Sequence, residues 1–530
     1  MDQLRDQHVL ILGLGASGLA MARWCARCGA AVTVADTREA PPQLAALQQE
    51  LPAARFVSGP FAASLVEGQD IRAVFRSPGL APATVATVVE AARAQGLWEG
   101  GELSLFAQAL ADLKAGQGYA PQLLAITGTN GKTTVTSLTG QLVARAGKSV
   151  QVAGNIGPTL LDTLSACLDG GQLPEVWVLE LSSFQLDSAG GFEPSAATVL
   201  NVTQDHLDWH GSLQAYVAAK ARIFGQQGLM VLNREDPVVM AMRPAPQRVK
   251  LQRPIERPCV TFGGDMPQRP GDYGIELVNG MAWLVRALEA DETRKKRRPH
   301  ARELAAPQGG LRALGRPGGA QPQDEAEELH IQRLMPADAL RIRGRHNAVN
   351  ALAALALASS AGCSLAPMLY GLREYRGEPH RVEPVGIVEE VEYFDDSKGT
   401  NVGATVAALQ GLGADRRVVV ILGGDGKGQD FAPLAAPVAR FARAAVLIGR
   451  DAPQIRAALE SSGVPLIDAA SLPEAVAQAR QRAHAGDVVL MSPACASFDM
   501  FRDYEHRAQV FREAVAAVAA DAGVPLEGQA

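Results

Sequence analysis

The sequence predicts an α/β protein of about three domains, and two observations support this prediction. At three separate places an apolar segment typical of a buried strand is followed by a glycine-rich turn and then by a helical segment. The apolar segments are residues 8–12, 123–126 and 418–422, and the last turn reads Gly-Gly-Asp-Gly-Lys-Gly. The chain has 530 residues, which is too long for one hydrophobic core and corresponds to about three domains.

In the first of these strand–turn–helix units, Gly13, Gly15 and Gly18 follow strand 8–12, and we expect the helix to run to Gly29. The next strand, 31–35, ends at Asp36. Glycines in this pattern, with an acidic residue after the following strand, are typical of NAD binding. Alone, the motif favours an oxidoreductase, but the same scaffold can hold other nucleotide diphosphates, since fold does not fix function.

The second unit contains Gly-Thr-Asn-Gly-Lys-Thr-Thr at 128–134, between a strand and a helix that Gly147 could cap. Glycines let backbone N–H groups close around phosphate oxygens, and the helix N-terminus adds a positive dipole end. We expect Lys132 to reach the outer phosphates and Thr133 to bind Mg²⁺ through its hydroxyl. A strict P-loop has a glycine where Ile126 stands, so this loop is a shorter form. The alternative is a glycine-rich turn that binds nothing.

The segment from about 289 to 328 differs in kind from the rest of the chain. It carries a basic run at 294–298, then Gly, Pro, Ala and Gln, then an acidic run at 324–328. Because such a segment cannot bury enough apolar surface to offset its ordering entropy, we predict a disordered surface insertion. The alternative is an electrostatic tether to an anionic partner or membrane.

Composition excludes several classes of protein. The formal net charge of −6 argues against a dedicated nucleic-acid binder, which is usually basic. No apolar run approaches the roughly 20 residues that cross a bilayer, and the N-terminus lacks the features of a signal peptide. Six scattered cysteines do not form a disulfide framework, and we predict that Cys25 and Cys28 pack in a helix rather than bind metal. We therefore expect a cytoplasmic protein without membrane insertion.

Many further motifs, in order, resemble those of the Mur ligase family, which builds the peptide stem of peptidoglycan. The resemblance covers nearly the whole chain apart from the insertion. The motifs lie at 128–134, 154–157, 179–186, 201–208, 344–350, 379–381, 396–401, 423–427 and 492–497. Each motif is modest evidence, but their number and order are highly specific.

Within the family, the pattern is similar to the member that adds D-glutamate to UDP-N-acetylmuramoyl-L-alanine. The glycine loop at 13–18, the motif at 396–401 and Ser-Pro-Ala-Cys-Ala-Ser at 492–497 favour it. Relatives that add diaminopimelate or lysine are expected to carry an Asp-Asn-Pro-Arg-like motif, which is absent from this sequence. Gly399 stands where many relatives carry alanine, a minimal change in a turn.

The resemblance implies three domains: an N-terminal Rossmann-like domain at 1–99, a central P-loop ATPase-like domain with a parallel sheet at 100–377, and a C-terminal Rossmann-like domain at 378–530. ATP on the central domain, contacted from the third, implies domain closure with a hinge near 376–379. A closed site keeps water from a reactive intermediate. Nothing in the sequence requires more than a monomer.

The resemblance also implies the reaction. The alanyl carboxylate of the UDP-linked substrate attacks the γ-phosphoryl group of ATP, and the amine of D-glutamate then displaces phosphate from the acyl phosphate. Because carboxylate and phosphate are both anionic, the enzyme must supply cations and fix the geometry. Lys132, Glu180, His206 and Lys220 are the expected catalytic residues. Thr133, Glu180, His206 and carbamylated Lys220 are the expected ligands of two Mg²⁺ ions.

Each of these residues has a simpler structural interpretation. Glu180, after the apolar strand 176–179, could form an ion pair, and His206 could be structural. Lys220 could be a plain surface lysine on a helix, and the sequence alone does not show carbamylation. His210 could suggest a helical metal pair with His206, but we predict that it lies at the surface because it falls outside the motif.

The resemblance assigns the remaining candidates to three ligands. The expected ATP-binding residues are Gly128, Thr129, Asn130, Gly131, Lys132, Thr133, Thr134, Asn347, Asn350, Arg381, Asp396 and Lys398. The expected contacts of the UDP-linked substrate are Ala16, Ser17, Asp36, Thr37, Arg38, Ser77, Gly79, Asn155 and Ser182. The expected contacts of D-glutamate are Thr400, Lys427, Ser497, Phe498 and Tyr504. The rival classes are an NAD-dependent oxidoreductase, a non-catalytic nucleotide-binding regulator and another Mur ligase.

Overall fold

A computed structural model describes residues 2–246, 254–289, 329–414 and 416–526. Its first sheet has five parallel strands in the order β3-β2-β1-β4-β5. The strands are β1 (His8–Leu12), β2 (Ala31–Asp36), β3 (Arg55–Ser58), β4 (Ala73–Arg76) and β5 (Trp98–Gly100). The helices are α1 (Ala16–Arg27), α2 (Leu44–Glu50), α3 (Pro82–Ala94) and α4 (Glu102–Gln117). The strand order reverses between β1 and β4, where ligands bind in open sheets of this type.

The second sheet has six parallel strands in the order β11-β10-β9-β6-β8-β7. The strands are β6 (Gln122–Thr127), β7 (Val150–Gly154), β8 (Val176–Glu180), β9 (Ala196–Val199), β10 (Leu229–Asn233) and β11 (Cys259–Phe262). The helices are α5 (Lys132–Arg145), α6 (Leu160–Asp169), α7 (Ser183–Asp187), α8 (Leu207–His210), α9 (Leu213–Ala221) and α10 (Pro237–Met240).

Strands β6 and β8 are neighbours in the interior of this sheet and are apolar on both faces. Ala125 and Leu179 enter one hydrophobic core, whereas Leu124, Ile126 and Val178 enter the core on the opposite face. Parallel strands covered by helices on both sides are expected to be continuous apolar runs. The apolar run 123–126 therefore predicted its strand correctly.

A three-stranded antiparallel sheet, which the sequence analysis did not anticipate, follows the second sheet. Its strands are β12 (Tyr273–Val278), β13 (Met281–Glu289) and β14 (Leu329–Pro336), in that order. Helices α11 (Arg345–Ser360) and α12 (Leu365–Glu374) come next. Helix α11 is buried along most of its length, and it packs against α5 behind the glycine-rich loop.

The last sheet has the order β15-β16-β20-β17-β18-β19, with β15 antiparallel to β16 and the other neighbours parallel. The strands are β15 (Glu383–Val388), β16 (Val391–Asp395), β17 (Val418–Gly423), β18 (Ala442–Ile448), β19 (Leu466–Asp468) and β20 (Val488–Met491). The helices are α13 (Val402–Leu412), α14 (Ala435–Phe441), α15 (Ala452–Leu459), α16 (Leu472–Arg482) and α17 (Tyr504–Ala522). The predicted α/β class is therefore confirmed.

The cysteines and the longer helices also bear on predictions made from the sequence. Cys25 and Cys28 are free thiols buried in the core around α1, which agrees with the packing interpretation. In the described ranges, no helix combines the length and apolar character needed to cross a membrane. The predicted disordered insertion, 289–328, lies outside the described residues except for Glu289.

Replacing residues 291–327 by a short Gly-Ser linker is expected to change kcat and KM by less than about twofold. Glu289 and Leu329 pair directly across the antiparallel strands β13 and β14, so a short turn can join them. Steady-state ADP release by the deletion variant, beside the full chain, measures the effect. A large loss of activity with unchanged thermal stability would contradict the expectation.

Candidate functional site

The glycine-rich loop lies between β6 and α5, at the carboxyl end of the central sheet. Gly128 has φ +156° and Gly131 has φ +83°, and a Cβ on Gly131 would lie 2.9 Å from Asn350 Oδ1. These positions therefore require glycine. The Lys132 Nζ donates hydrogen bonds to the carbonyls of Gly128 (3.0 Å) and Thr129 (2.9 Å). The lysine thus lies across the mouth of the loop.

Glu180 ends strand β8 beside this loop, and its side chain is buried. Asn155 Nδ2 donates to Glu180 Oε1 at 2.9 Å. The other oxygen, Oε2, is buried and has no hydrogen-bond partner among the described residues. A buried carboxylate oxygen without a donor is costly unless a cation or another ligand satisfies it, and Mg²⁺ prefers such oxygens. The residues present therefore fit a Mg²⁺ ion.

Lys220, on α9, is also buried and points at the same loop. Its Nζ donates to Gly128 O (2.8 Å) and lies 3.3 Å from Thr127 Oγ1, with the ring of Tyr216 at 4.6 Å. Burial lowers the pKa of Lys220 well below its usual value, and the charge of Lys132 lowers it further. The interpretation of Lys220 as a plain surface lysine is therefore wrong.

His206 precedes the single turn of α8 and has a left-handed backbone, with φ +53°. Its ring is partly exposed, packs against Phe184 with ring centroids 4.7 Å apart, and lies 3.6 Å from Asp205 Oδ2. His206 lines the same cavity as Lys132 and Glu180. The structure therefore brings together three of the expected catalytic residues on one wall, with Lys220 behind the loop.

His210, predicted to lie at the surface, is half-buried in the structure. Its Nε2 lies 2.9 Å from Ser183 Oγ, and its ring packs among Phe184, Trp209 and Tyr216. Burial lowers the pKa of His210 to about 4. The reason is tertiary, because the His210 ring packs against Phe184 of α7 and Tyr216 of α9.

The C-terminal domain contributes the opposite wall of the site. Arg381 Nη2 donates to Thr133 Oγ1 at 2.6 Å, which connects this domain directly to the glycine-rich loop. Asp396 accepts from Ser492 Oγ at 2.6 Å, and burial raises the pKa of Asp396 to about 7. Lys398 Nζ lies 3.5 Å from the centroid of the Tyr504 ring, and burial lowers the pKa of Lys398 to about 8.

Two adjoining cavities lie between the central and C-terminal domains. The larger cavity has a volume of about 870 Å³ and contains the loop residues together with Thr400 and Tyr504. The smaller has a volume of about 120 Å³ and contains Asn347 and Asn350. Residues 130 and 131, Arg381 and Lys398 line both cavities. A nucleoside triphosphate with its phosphates in the larger cavity could therefore extend its base into the smaller cavity.

Not every expected D-glutamate contact lines these cavities. Lys427 is exposed with φ +51°, Phe498 is 68% exposed, and Ser497 is buried. These three residues lie on the loops that follow β17 and β20, which a bridge between Asp425 and Ala496 connects. Only Thr400 and Tyr504 of the five expected contacts lie on the wall of the larger cavity.

The N-terminal candidates gather at the carboxyl end of the first sheet. Asp36 accepts from the backbone N–H of Leu14 (2.8 Å) and from the Arg38 guanidinium (2.8 Å), and the latter bond lowers the pKa of Asp36 to about 2. Ser77 Oγ donates to Gly13 O at 2.9 Å. Ala16 and Ser17 begin α1, and Thr37 and Gly79 lie in the adjoining loops. Because Arg38 and Leu14 already engage both Asp36 oxygens, this carboxylate is poorly placed to hold a ribose as in NAD binding.

Ser182 has a structural role at the start of α7. It caps α7, because its Oγ accepts from the Gln185 N–H while the Gln185 side chain bonds back to the Ser182 N–H. This capping box satisfies two N–H groups at the start of the helix. Asn155 lines the larger cavity, whereas Ser182 does not.

The contact between Asn130, an expected ATP-binding residue, and Asn401 is one that the sequence does not predict. The side-chain amides of Asn130 and Asn401 exchange hydrogen bonds of 3.2 and 3.0 Å between the loop and the start of α13. Asn401 also caps α13 by accepting from the Ala404 N–H. Both residues belong to motifs visible in the sequence, but no sequence signal pairs positions so far apart.

The fold and site define a multidomain α/β enzyme in which a phosphate-binding loop and a separate α/β domain face one cavity. Three family models match the chain: the Mur ligase MurD-like N-terminal domain at 7–98, the Mur ligase middle domain at 126–253, and the Mur ligase glutamate ligase domain at 380–495. The chain belongs to the Mur ligase family, as its motifs predicted.

Similar proteins span the full length of the chain. The UDP-N-acetylmuramoylalanine–D-glutamate ligase of Albidiferax ferrireducens is 70% identical over 530 residues and covers 100% of both chains. The enzyme of the same name from Polaromonas sp. is 59% identical, covering 99% of this chain and 100% of the relative. The one from Cupriavidus pinatubonensis is 58% identical, covering 98% and 99%.

Solved structures share the fold at low sequence identity. The MurF ligase of Thermotoga maritima in complex with ADP has a TM-score of 0.53 and 14% identity, covering 97% of this chain and 96% of that one. The UDP-N-acetylmuramate-alanine ligase of the same organism has a TM-score of 0.50 and 21% identity, covering 96% and 99%. At these identities the likeness shows the three-domain fold alone.

Proposed function

We propose that the chain is an ATP-dependent ligase that joins D-glutamate to UDP-N-acetylmuramoyl-L-alanine in peptidoglycan biosynthesis and releases ADP and phosphate. The observation that carries this proposal is 70% identity over the full length to an enzyme with that name. The cavity between the loop and the C-terminal domain supports it, because such a reaction needs ATP, a carboxylate and an amine in one enclosed space.

The residues on the cavity walls have the charges that the first step needs. The carboxylate and the γ-phosphoryl group are both anionic, so their approach requires cations, and Lys132, Arg381 and Lys398 supply them. Backbone N–H groups of 128–134 hold the phosphates, and Asn347, Asn350 and Asp396 hold the nucleoside side. Phosphorylation turns the carboxylate into an acyl donor with a good leaving group.

Thr133, Glu180, His206 and Lys220 are the proposed holders of two Mg²⁺ ions. When bound, Mg²⁺ supplies positive charge that stabilises the transferring phosphoryl group. Lys220 is proposed to act as a carbamate. Its burial and lowered pKa favour the neutral amine. The amine lone pair can form a bond to the carbon of CO₂, a proton leaves the nitrogen to solvent, and the carbamate oxygens can then serve as ligands.

The other two substrates are assigned to the outer domains. We assign the UDP group to Ala16, Ser17, Asp36, Thr37, Arg38, Ser77 and Gly79, and the muramoyl-alanine end to Asn155 and Ser182. We assign D-glutamate to Thr400, Lys427, Ser497, Phe498 and Tyr504. Since three of these last residues lie outside the larger cavity, D-glutamate binding requires the loops after β17 and β20 to approach it.

We also propose that the three domains extend over 1–99, 100–377 and 378–530, with the hinge at 376–379. The proposed enzyme is a monomer that acts in the cytoplasm.

The proposal is tested by offering the purified protein ATP, Mg²⁺ and UDP-N-acetylmuramoyl-L-alanine with a panel of amino acids. We expect phosphate release with D-glutamate and none with L-alanine, L-lysine or meso-diaminopimelate. Phosphate release with one of those amino acids, and not with D-glutamate, would show that D-glutamate is not the acceptor. Reduction of NAD without ATP turnover would favour the oxidoreductase, and ATP binding without any acceptor would favour a regulator.

A further inference from the structure

His380 lies in the short segment between the hinge and β15, beside a buried carboxylate. Its Nδ1 lies 2.7 Å from Oδ2 of Asp395, which ends β16 and is fully buried. The other oxygen of Asp395 accepts from the Ser397 N–H (2.9 Å) and the Ser397 Oγ–H (2.6 Å). The carboxylate is therefore fixed, and it holds the imidazole at one nitrogen only.

The backbone turns this ring toward the larger cavity. His380 has φ +63°, a left-handed conformation that is uncommon for residues other than glycine. Two hydrogen bonds maintain it: His380 N–H donates to Glu383 Oε2 (2.8 Å), and Lys398 N–H donates to His380 O (3.1 Å). Held conformations of this kind cluster at functional sites.

The second ring nitrogen is available. In the part of the chain that the structure describes, Nε2 of His380 has no hydrogen-bond partner, and the residue lines the larger cavity with Thr400 and Tyr504. The rings of His380 and Tyr504 have centroids 6.0 Å apart. An imidazole held by a carboxylate at Nδ1 keeps its proton there, which leaves the Nε2 lone pair free.

The second step of the proposed reaction needs a base near the acceptor. At neutral pH the amine of a free amino acid is an ammonium group without a lone pair, so it must lose a proton before attacking the acyl phosphate. Lys132 and Lys220 each donate a hydrogen bond to a backbone carbonyl of the glycine-rich loop, and Glu180 faces the proposed metal. Lys398 lies against the Tyr504 ring as a cation.

We propose that His380, oriented by Asp395, accepts the proton of the acceptor ammonium group at Nε2; this inference rests on the proposed function. The proton moves from nitrogen to Nε2, which leaves a neutral amine. The amine lone pair forms the C–N bond, the bond between carbon and phosphoryl oxygen breaks, and the electron pair leaves with phosphate. The remaining extra N–H proton goes to phosphate, so atoms and charge balance.

Charged groups of both signs surround His380. The charged or titratable groups facing it are Asp395, Glu383, Arg512, Tyr504, Lys398 and Arg381. Asp395 and Glu383 place negative charge beside the ring, whereas Lys398 and Arg381 place positive charge on the side of the cavity.

The test is the variant His380→Asn, since asparagine tolerates φ above zero and its amide can still donate to Asp395. Ligation of D-glutamate should fall by about 10²-fold in kcat, the size of a general-base contribution. Hydroxylamine is largely uncharged at neutral pH and traps an acyl phosphate as a hydroxamate without a base. Hydroxamate formation, with ATP and UDP-N-acetylmuramoyl-L-alanine, should therefore stay within about twofold of the wild-type rate.

Three comparisons make the outcome decisive. Ligation by His380→Asn should recover as the pH is raised, because solvent then deprotonates the amine, and His484→Asn on the exposed side of the same domain should behave as wild type. An equal loss of ligation and hydroxamate formation, or unchanged ligation, would overturn the role of His380. If the wild-type protein itself makes hydroxamate but no D-glutamate product, the proposed acceptor is wrong.

Discussion

Replacing Lys132 by methionine is expected to lower kcat for ADP release by about 10³-fold, or about 4 kcal/mol in barrier height. Lys132 Nζ lies within 3.0 Å of two carbonyls of the loop, at the position where the outer phosphates of a bound nucleotide would be. Methionine keeps the length and apolar stem of the side chain but removes the charge. The loss should therefore appear in the phosphoryl-transfer step with little effect on the fold.

Single-turnover formation of ADP at saturating ATP measures the Lys132→Met effect, and thermal unfolding reports the fold. The matched control is Lys114→Met, since Lys114 is an exposed lysine in the last turn of α4. Its kcat should stay within about twofold of the wild-type value. A Lys132→Met enzyme with nearly normal kcat would show that the loop does not hold the transferring group.

Replacing Lys220 by alanine is expected to lower kcat by about 10²- to 10³-fold, and short carboxylic acids should restore part of the activity. The buried amine lies beside Gly128 and close to the charge of Lys132. A carbamate there would present oxygen atoms toward the proposed metal, and a small carboxylate can fill the space that alanine leaves. Formate and acetate are the acids to compare.

The Lys220→Ala experiment separates two roles of this lysine. Rescue by formate or acetate in Lys220→Ala, but not in Lys132→Met, would support the carbamate. Loss without rescue would instead favour a structural role, in which the ammonium group supports the Gly128 carbonyl. Depleting CO₂ and bicarbonate from the wild-type enzyme gives an independent measurement, since the carbamate should then dissociate and the activity fall.

Local sequence patterns predicted the parts of the site that depend on neighbouring residues. The loop 128–134 and Glu180 follow apolar strands, and parallel strands place their carboxyl ends at one edge of a sheet. The cavity between Lys132 and Glu180 follows from that geometry. The residues assigned to D-glutamate are harder to locate from the sequence. Phe498 and Lys427 are exposed, lie on loops and do not line the larger cavity.

Where the structure differs from the sequence predictions, the reason lies in tertiary packing. The sequence predicts a surface position for His210, outside the motif, but contacts with Phe184 of α7 and Tyr216 of α9 leave it only half-buried rather than exposed. Strands β13 and β14 of the three-stranded sheet flank a compositionally biased segment, and no local pattern in the sequence predicts that they pair. Two antiparallel strands can pair across such a segment whenever their ends meet.

The sequence by itself determined the α/β class, the phosphate-binding loop and the family, because strand periodicity, glycine requirements and ordered motifs are local properties of the chain. Only the tertiary structure decided which distant groups meet. Arg381 contacts Thr133, Asn401 pairs with Asn130, and Asp395 holds His380 at a single nitrogen. These contacts depend on how two separate sheets and their helices pack against each other, and no local pattern encodes that arrangement.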